Sequence, residues 1–77
     1  MSEEEAIEKL KKVAIEGRYG DERKDAIETL ATFEEKAIAA LAEIAVEGRY
    51  SDERKLAMEK IKQIKEKTET SRGRGRQ

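Results

Sequence analysis

Residues 13–30 of the chain read VAIEGRYGDERKDAIETL, and residues 44–61 read IAVEGRYSDERKLAMEKI. The two segments are offset by 31 residues, and 11 of their 18 positions are identical. Four further positions exchange one apolar residue for another, and the match continues more weakly upstream. A repeat of this length is typical of a supersecondary unit that stacks on its neighbour. The repeat therefore decides the architecture of most of the chain.

Each repeat has the pattern of a helix, a tight turn and a second helix. Apolar residues recur at spacings of three and four, as on one face of an amphipathic helix, and β-branched runs with a spacing of two are absent. We expect an all-α fold, a compact four-helix bundle of two tandem helix-turn-helix units. Repeat 1 spans about residues 3–31 and repeat 2 about residues 33–67, and together they make one domain over residues 1–67.

The ends of the helices are predicted from capping residues. Gly17 and Gly48 are expected to end the first helix of each repeat in the left-handed conformation, which glycine adopts at little cost. Polar residues are predicted to cap the helix N-termini: Ser2 with Glu5, Asp21, Thr32 with Glu35, and Ser51 or Asp52.

The helical pattern stops after Lys67. Residues 68–77 contain no aliphatic residue and two glycines, so we expect a flexible, basic Arg-Gly tail. Residues 1–59 carry ten basic and sixteen acidic side chains, whereas residues 60–77 carry seven and two. The net charge of -1 therefore conceals an acidic body and a basic C-terminal end.

The composition excludes several classes of function. The chain has 77 residues and contains neither Cys nor His. Without Cys there is no disulfide framework and no thiolate zinc site, and without His the commonest general base and metal ligand are missing. No nucleotide-binding, metalloprotease or calcium-binding motif occurs. We therefore expect a protein that is not an enzyme and that needs no cofactor or metal.

The same composition bears on location. No run approaches the roughly 18 apolar residues that span a membrane, and the acidic N-terminus is unlike a signal peptide. We expect a cytoplasmic protein without membrane contact. The absence of Asn and Cys, with abundant Glu, Lys and Arg, matches the composition of thermophile proteins.

The segment over residues 21–45, DERKDAIETLATFEEKAIAALAEIA, resembles the short HEAT-like repeats of the phycobilisome-lyase type. The matching positions are Asp21, Arg23, Ala26, Leu30, Ala37, Ile38, Ala40 and Leu41, and the first half recurs as Asp52, Arg54, Ala57 and Ile61. The chain departs from the family's pattern where Ala31-Thr32-Phe33 replaces a glycine turn and where Ala39 replaces a frequent proline. The resemblance implies a scaffold that binds other proteins.

Two repeats are few for a stacked architecture. Solenoids generally need about three or more units to bury a continuous core. The two units are therefore expected either to close into a compact bundle or to continue the stack by self-association. Ile15 and Val46 lie off the main apolar stripes and are candidate contacts for such an association.

The repeated turn Gly-Arg-Tyr supplies the first candidate site, with Arg18, Tyr19, Arg49 and Tyr50 as partner-binding residues. Arginine pairs with oxyanions and tyrosine stacks on planar groups, so the twin turns predict a binding surface. In the alternative, structural interpretation, the tyrosines cover the helix pair and the arginines bind the last helix carbonyls or nearby glutamates.

The D-E-R-K segments at residues 21–24 and 52–55 also allow two interpretations. They are either a charged docking ridge or a capped first helical turn, in which Arg23 and Arg54 bridge to a neighbouring helix.

The basic C-terminal end supplies the second candidate site, for nucleic acid: Lys60, Lys62, Lys65, Arg72, Arg74 and Arg76. Arg-Gly segments bind RNA or single strands with little specificity. Three tail arginines neutralise only about three phosphates, which predicts weak and salt-sensitive binding. The alternative is a solubilising tail. The main interpretation is a small interaction module for a protein partner, and accessory nucleic-acid binding is its rival.

Overall fold

The computed structural model describes the backbone of residues 2–73 and the side chains of residues 2–67. Four α-helices make up most of this part of the chain: α1 (Glu3–Glu16), α2 (Gly20–Ala31), α3 (Ile38–Glu47) and α4 (Ser51–Gly73). A short 3₁₀ helix, Glu34–Ala37, precedes α3. The predicted all-α class with four helices is confirmed. None of the helices over residues 2–73 has an apolar stretch long enough to cross a bilayer.

The two helical hairpins lie side by side with their helices in matching order. Within the hairpins α1 packs on α2 and α3 on α4, and between them α1 contacts α3 and α2 contacts α4. Five ion pairs between different helices, among the described side chains, join residues 30 to 33 positions apart: Arg23–Glu53, Glu28–Lys60, Lys11–Glu43, Glu3–Lys36 and Glu34–Lys67. These separations are close to the 31-residue offset of the repeat. Equivalent positions therefore meet, and repeat 2 is stacked on repeat 1 in the same orientation.

The core lies between the four helices and combines small with branched side chains. Five buried alanines let the helix backbones approach one another: Ala14, Ala26, Ala37, Ala40 and Ala57. The largest fully buried side chains come from the two central helices, Ile27 and Leu30 from α2 and Leu41 and Ile44 from α3. Burying a side chain of this size contributes about 1.5–3 kcal/mol, so these four hold the two hairpins together.

The predicted cap of α1 is confirmed. The backbone N–H of Glu5 donates to Ser2 Oγ, and the N–H of Ser2 donates to Glu5 Oε1. The predicted caps of α2 and α4 are wrong. Helix α2 begins at Gly20 after Tyr19, which makes no side-chain capping bond, so Asp21 lies inside the first turn. In α4 both Ser51 and Asp52 likewise lie inside the helix, where the aspartate favours the helix dipole.

The connection between the two repeats also differs from its prediction. Thr32 and Glu35 form no capping box, because Thr32 Oγ1 donates back to the carbonyl of Thr29 at 2.6 Å. Glu34 then adopts φ 58, the left-handed conformation that glycine tolerates best. A hydroxyl–carbonyl bond and a left-handed glutamate thus make the turn between the two repeats.

Helix α4 continues to Gly73, beyond its predicted end near Lys67. That residues 68–77 form a flexible tail stays a prediction. The end of an apolar stripe shows where a helix stops packing against the core, and a helix can continue beyond that point. The first residue after Lys67 with a low helix propensity is Gly73. The rest of the predicted tail, residues 74–77, lies outside the described residues.

Candidate interaction site

Glycine is required in the two Gly-Arg-Tyr turns for a steric reason. Gly17 and Gly48 both have φ -57, with ψ 150 and 146, so the predicted left-handed conformation is wrong. A Cβ atom on Gly48 would lie 2.7 Å from the carbonyl oxygen of Ile44 and 3.1 Å from Cγ of Arg54. At Gly17 the equivalent neighbours are the carbonyl of Val13 and Cγ of Arg23. Each glycine leaves room for a helix carbonyl and for an arginine side chain.

That arginine ties the turn to the following helix. Arg23 Nη1 donates to the carbonyl oxygen of Gly17 at 3.0 Å, and Arg54 Nη1 donates to that of Gly48 at 2.9 Å. The predicted binding of a helix-end carbonyl by arginine is therefore made by the arginine six residues after each glycine. Arg18 and Arg49, which were candidates for it, are exposed.

The four predicted partner-binding residues lie along one edge of the stack, where the turns of both hairpins are, because equivalent positions of the two repeats meet. Arg18 and Arg49 are exposed there, and Tyr19 is 59% exposed at the outer edge of repeat 1. Tyr50 differs, since the guanidinium carbon of Arg23 lies 4.2 Å from the centre of its ring. Tyr50 is thus part of the contact between the repeats.

The contact between the repeats contains a buried ion pair. Arg23 Nε lies 3.7 Å from Glu53 Oε1, and Glu53 is only 2% exposed. Both of these atoms lack a hydrogen-bond partner among the described residues. The predicted bridge from Arg23 to a neighbouring helix is therefore confirmed. We call Arg23, Tyr50 and Glu53 the junction cluster.

A second ion pair joins the first helices of the repeats. Lys11 Nζ donates to Glu43 Oε1 at 2.7 Å and to Glu8 Oε2 at 3.3 Å. The hydrogen bond that Lys11 donates to Glu43 raises the pKa of Lys11, and the one that Lys36 donates to Glu3 raises the pKa of Lys36. An open groove of about 360 Å³ follows this seam, lined by Glu8, Lys9, Lys11, Lys12, Ile15, Glu16, Glu43 and Glu47. Its paired charges connect α1 to α3.

One side of repeat 2 lacks the cover that repeat 1 has. Ile27 of α2 is fully buried, whereas Met58, its equivalent on α4, is 52% exposed. Ile15 packs against the core, whereas its equivalent Val46 is 79% exposed. We call this side the C-terminal face; it consists of Ala42, Val46, Arg54, Met58 and Ile61. It is the surface that repeat 1 uses to bind repeat 2.

The opposite side of repeat 1 has a different character. We call it the N-terminal face; it consists of Lys9, Val13, Glu22, Asp25 and Thr29. In repeat 2 the equivalent positions contact repeat 1, and two of them are apolar where the N-terminal face is charged: Ala40 for Lys9 and Leu56 for Asp25. A polar outer face is what a terminal repeat needs for solubility. The stack therefore has one polar end and one apolar end.

The predicted nucleic-acid contacts are only partly within the described residues. Lys60 Nζ lies 3.3 Å from Glu28 Oε1 and belongs to the contact between α2 and α4. Lys62 and Lys65 are exposed on α4. The side chain of Arg72 and all of Arg74 and Arg76 lie outside the described part of the chain. Nucleic-acid binding stays a prediction.

The apolar end was only partly predictable from the sequence. Ile15 and Val46 were both predicted to lie off the main apolar stripes; Val46 is 79% exposed, and Ile15 is partly buried against the core. The exposure of Met58 and the burial of Glu53 were missed. Comparing equivalent positions predicts which residues of repeat 2 are exposed, but only when it is known which side of repeat 1 is covered by repeat 2.

No group of three ligating side chains in residues 2–67 is arranged to hold a metal ion. Comparisons of the chain with protein-family models, with curated proteins and with solved structures gave no match.

Proposed function

We propose that the chain is a small, non-enzymatic helical interaction module that binds a protein partner through its C-terminal face. The partner presents a helical surface with an apolar centre, because the contact that repeat 1 makes with the same face is between helices. In this proposal the C-terminal face binds the partner and the polar N-terminal face is exposed to solvent.

The exposure of Met58 carries this proposal. Its equivalent Ile27 is fully buried by repeat 2, so the same position has a partner in repeat 1 and, among the described residues, none in repeat 2. Val46 repeats the contrast on α3. Clustered exposed apolar side chains on a small soluble domain mark an interaction surface more often than isolated ones do.

The replacement of Lys11 by Ala42 at the equivalent position supports the same assignment. Lys11 is held in the contact between the repeats by Glu43, and its charge is neutralised there. Ala42 brings no charge to the C-terminal face, so a partner can approach α3 closely without a matching carboxylate. The stacking of the two hairpins also agrees with the resemblance to HEAT-like repeats, which are mostly protein-binding scaffolds.

Site-specific photocrosslinking in cells of the source organism tests the proposal. A benzophenone amino acid at Met58 is expected to capture one dominant protein, because the side chain lies at the centre of the proposed interface. The same amino acid at Gln63 is the matched control, since Gln63 is exposed and lies five residues from Met58, on a different side of the same helix.

The captured protein is then purified and its binding to the chain measured directly. Met58→Glu is expected to abolish binding, because it places a charge in the apolar centre, and Gln63→Glu is expected to leave it unchanged. Equal capture from both positions, or binding that survives Met58→Glu, would contradict the proposal.

A further inference from the structure

The junction cluster shows how this chain holds one repeat on the next. The Arg23 side chain is oriented by its bond to Gly17, stacks on the ring of Tyr50, and reaches the carboxylate of Glu53. Tyr50 and Glu53 are three residues apart at the start of α4, in the sequence Tyr-Ser-Asp-Glu. An arginine from one repeat thus meets an aromatic ring and a carboxylate from the next.

Both halves of a second such cluster are present at the ends of the stack. At the C-terminal face, Arg54 is oriented by Gly48 as Arg23 is by Gly17, and no carboxylate pairs with it among the described side chains. At the other end, Tyr19 and Glu22 are exposed in the sequence Tyr-Gly-Asp-Glu, with the spacing of Tyr50 and Glu53. The two half-sites have complementary charges and cannot meet within one molecule.

We infer that the chain associates head to tail with a second copy of itself, the C-terminal face of one copy binding the N-terminal face of the next. Arg54 then lies between Tyr19 and Glu22 of the next copy, and Met58 packs near its Val13. This inference rests on the proposed function and names its partner. The stack of repeats continues through the interface as it does inside one chain.

The contact between copies is weaker than the contact between repeats. Lys9 and Asp25 stand where repeat 2 has Ala40 and Leu56, so the N-terminal face offers less apolar surface. Two ion pairs inside the chain also have no counterpart between copies. Where Glu28 pairs with Lys60, the contact between copies has Glu59 opposite Thr29. Where Lys11 pairs with Glu43, it has Ala42 opposite Lys12. Association is therefore concentration-dependent and weakens as salt screens the arginine–glutamate pair.

A head-to-tail contact also predicts the form of the assembly. Because the two faces differ, each added copy exposes a new C-terminal face, and the series stays open instead of stopping at two. An isologous dimer, in which two C-terminal faces bind each other, stops at two and does not use Glu22.

Sedimentation velocity of the full-length chain at rising concentration and low salt tests this inference. The wild type is expected to form dimers, trimers and longer species. Arg54→Ala and Glu22→Ala each remove one half-site, and each is expected to weaken association by at least about thirtyfold. Arg49→Ala, which removes an exposed arginine of the same turn, is the matched control and is expected to associate like the wild type.

Mixing the two variants gives the sharpest result. Arg54→Ala keeps an intact N-terminal face and Glu22→Ala keeps an intact C-terminal face, so their equimolar mixture is expected to form a dimer that grows no further. Circular dichroism verifies that each variant is folded. Should Arg54→Ala unfold, Met58→Glu replaces it, because that side chain is half exposed and its change leaves the core intact.

Three results would overturn the inference: a wild type that stays monomeric at every concentration, a dimer that stops at two, or association that Glu22→Ala leaves unchanged. The proposed function fails separately. If the chain is monomeric but a crosslinker at Met58 captures a different protein, the interaction module stands and self-association falls. If the captured protein is the chain itself and the crosslink lies on its N-terminal face, both stand.

Discussion

Arg23 and Arg54 have the same local sequence and different surroundings. Each follows its glycine by six residues and donates to the carbonyl of that glycine. Arg23 is buried against Tyr50 and Glu53, whereas Arg54 is partly exposed at the C-terminal face. The difference shows that one segment builds a local turn by itself and becomes an interface only when a second hairpin covers it.

The largest difference between the repeats is expected from removing these arginines. Arg23→Ala leaves the carboxylate of Glu53 buried without a counter-charge, so it should lower the free energy of unfolding by about 3–5 kcal/mol. Arg54→Ala should cost only about 1 kcal/mol, because it removes a single hydrogen bond. Urea denaturation of the monomer measures both.

The double variant Arg23→Met with Glu53→Leu is the control for this prediction. It replaces both charges by apolar groups and should recover most of the lost stability. Similar losses for Arg23→Ala and Arg54→Ala would show that the junction cluster adds nothing to the turn.

The next effect concerns the apolar pair Ile27 and Met58. Ile27→Ala opens a cavity in a fully buried site and should cost about 2–5 kcal/mol. Met58→Ala changes a half-exposed side chain and should alter stability by no more than about 0.5 kcal/mol. Thermal and urea unfolding compare the two, and a large loss from Met58→Ala would mean that the C-terminal face is already covered within the chain.

The two glycines, in contrast, should behave alike. Gly17→Ala and Gly48→Ala both place a methyl group against a helix carbonyl and an arginine side chain, and each should cost about 1–3 kcal/mol. Because this strain is local, the loss should not depend on which repeat carries it. A loss in repeat 1 alone, measured by urea denaturation, would show that the turns differ more than their backbone angles indicate.

The smallest effect is expected from Lys11. Its side chain forms an ion pair with Glu43 of repeat 2, whereas the equivalent residue, Ala42, has no charge to pair. Glu43 raises the pKa of Lys11 above its usual value of 10.5. A pKa raised by folding stabilises the protein below the unfolded value, and this contribution is lost as the pH rises through the folded pKa.

Lys11→Met should therefore lower stability by about 0.2–1 kcal/mol at neutral pH, and its difference from the wild type should shrink as the pH rises through the raised pKa of Lys11. Urea titrations at a series of pH values measure this. A difference that stays constant to high pH would assign the loss to packing of the lysine stem and not to its charge.

Most of the fold was predictable because its signals are local or repeated. The helical spacing and the cap at Ser2 indicate structure within a few residues, and the 31-residue period indicates that the same structure recurs; all of them agree with the structure. The predicted left-handed glycines and the caps at Asp21 and Thr32 are wrong because several backbone geometries satisfy the same short sequence. At Gly17 and Gly48 the backbone geometry is the one that leaves room for an arginine side chain next to the glycine.

The sequence by itself determined that two equivalent hairpins form and that an arginine closes each turn. Only the tertiary structure decided that Arg23 is part of an interface and Arg54 is part of a free surface. The physical reason is that a hydrogen bond over six residues is specified within the segment, whereas burial depends on what packs from outside it. Because repeat 2 covers repeat 1 and nothing described covers repeat 2, identical residues acquire different roles.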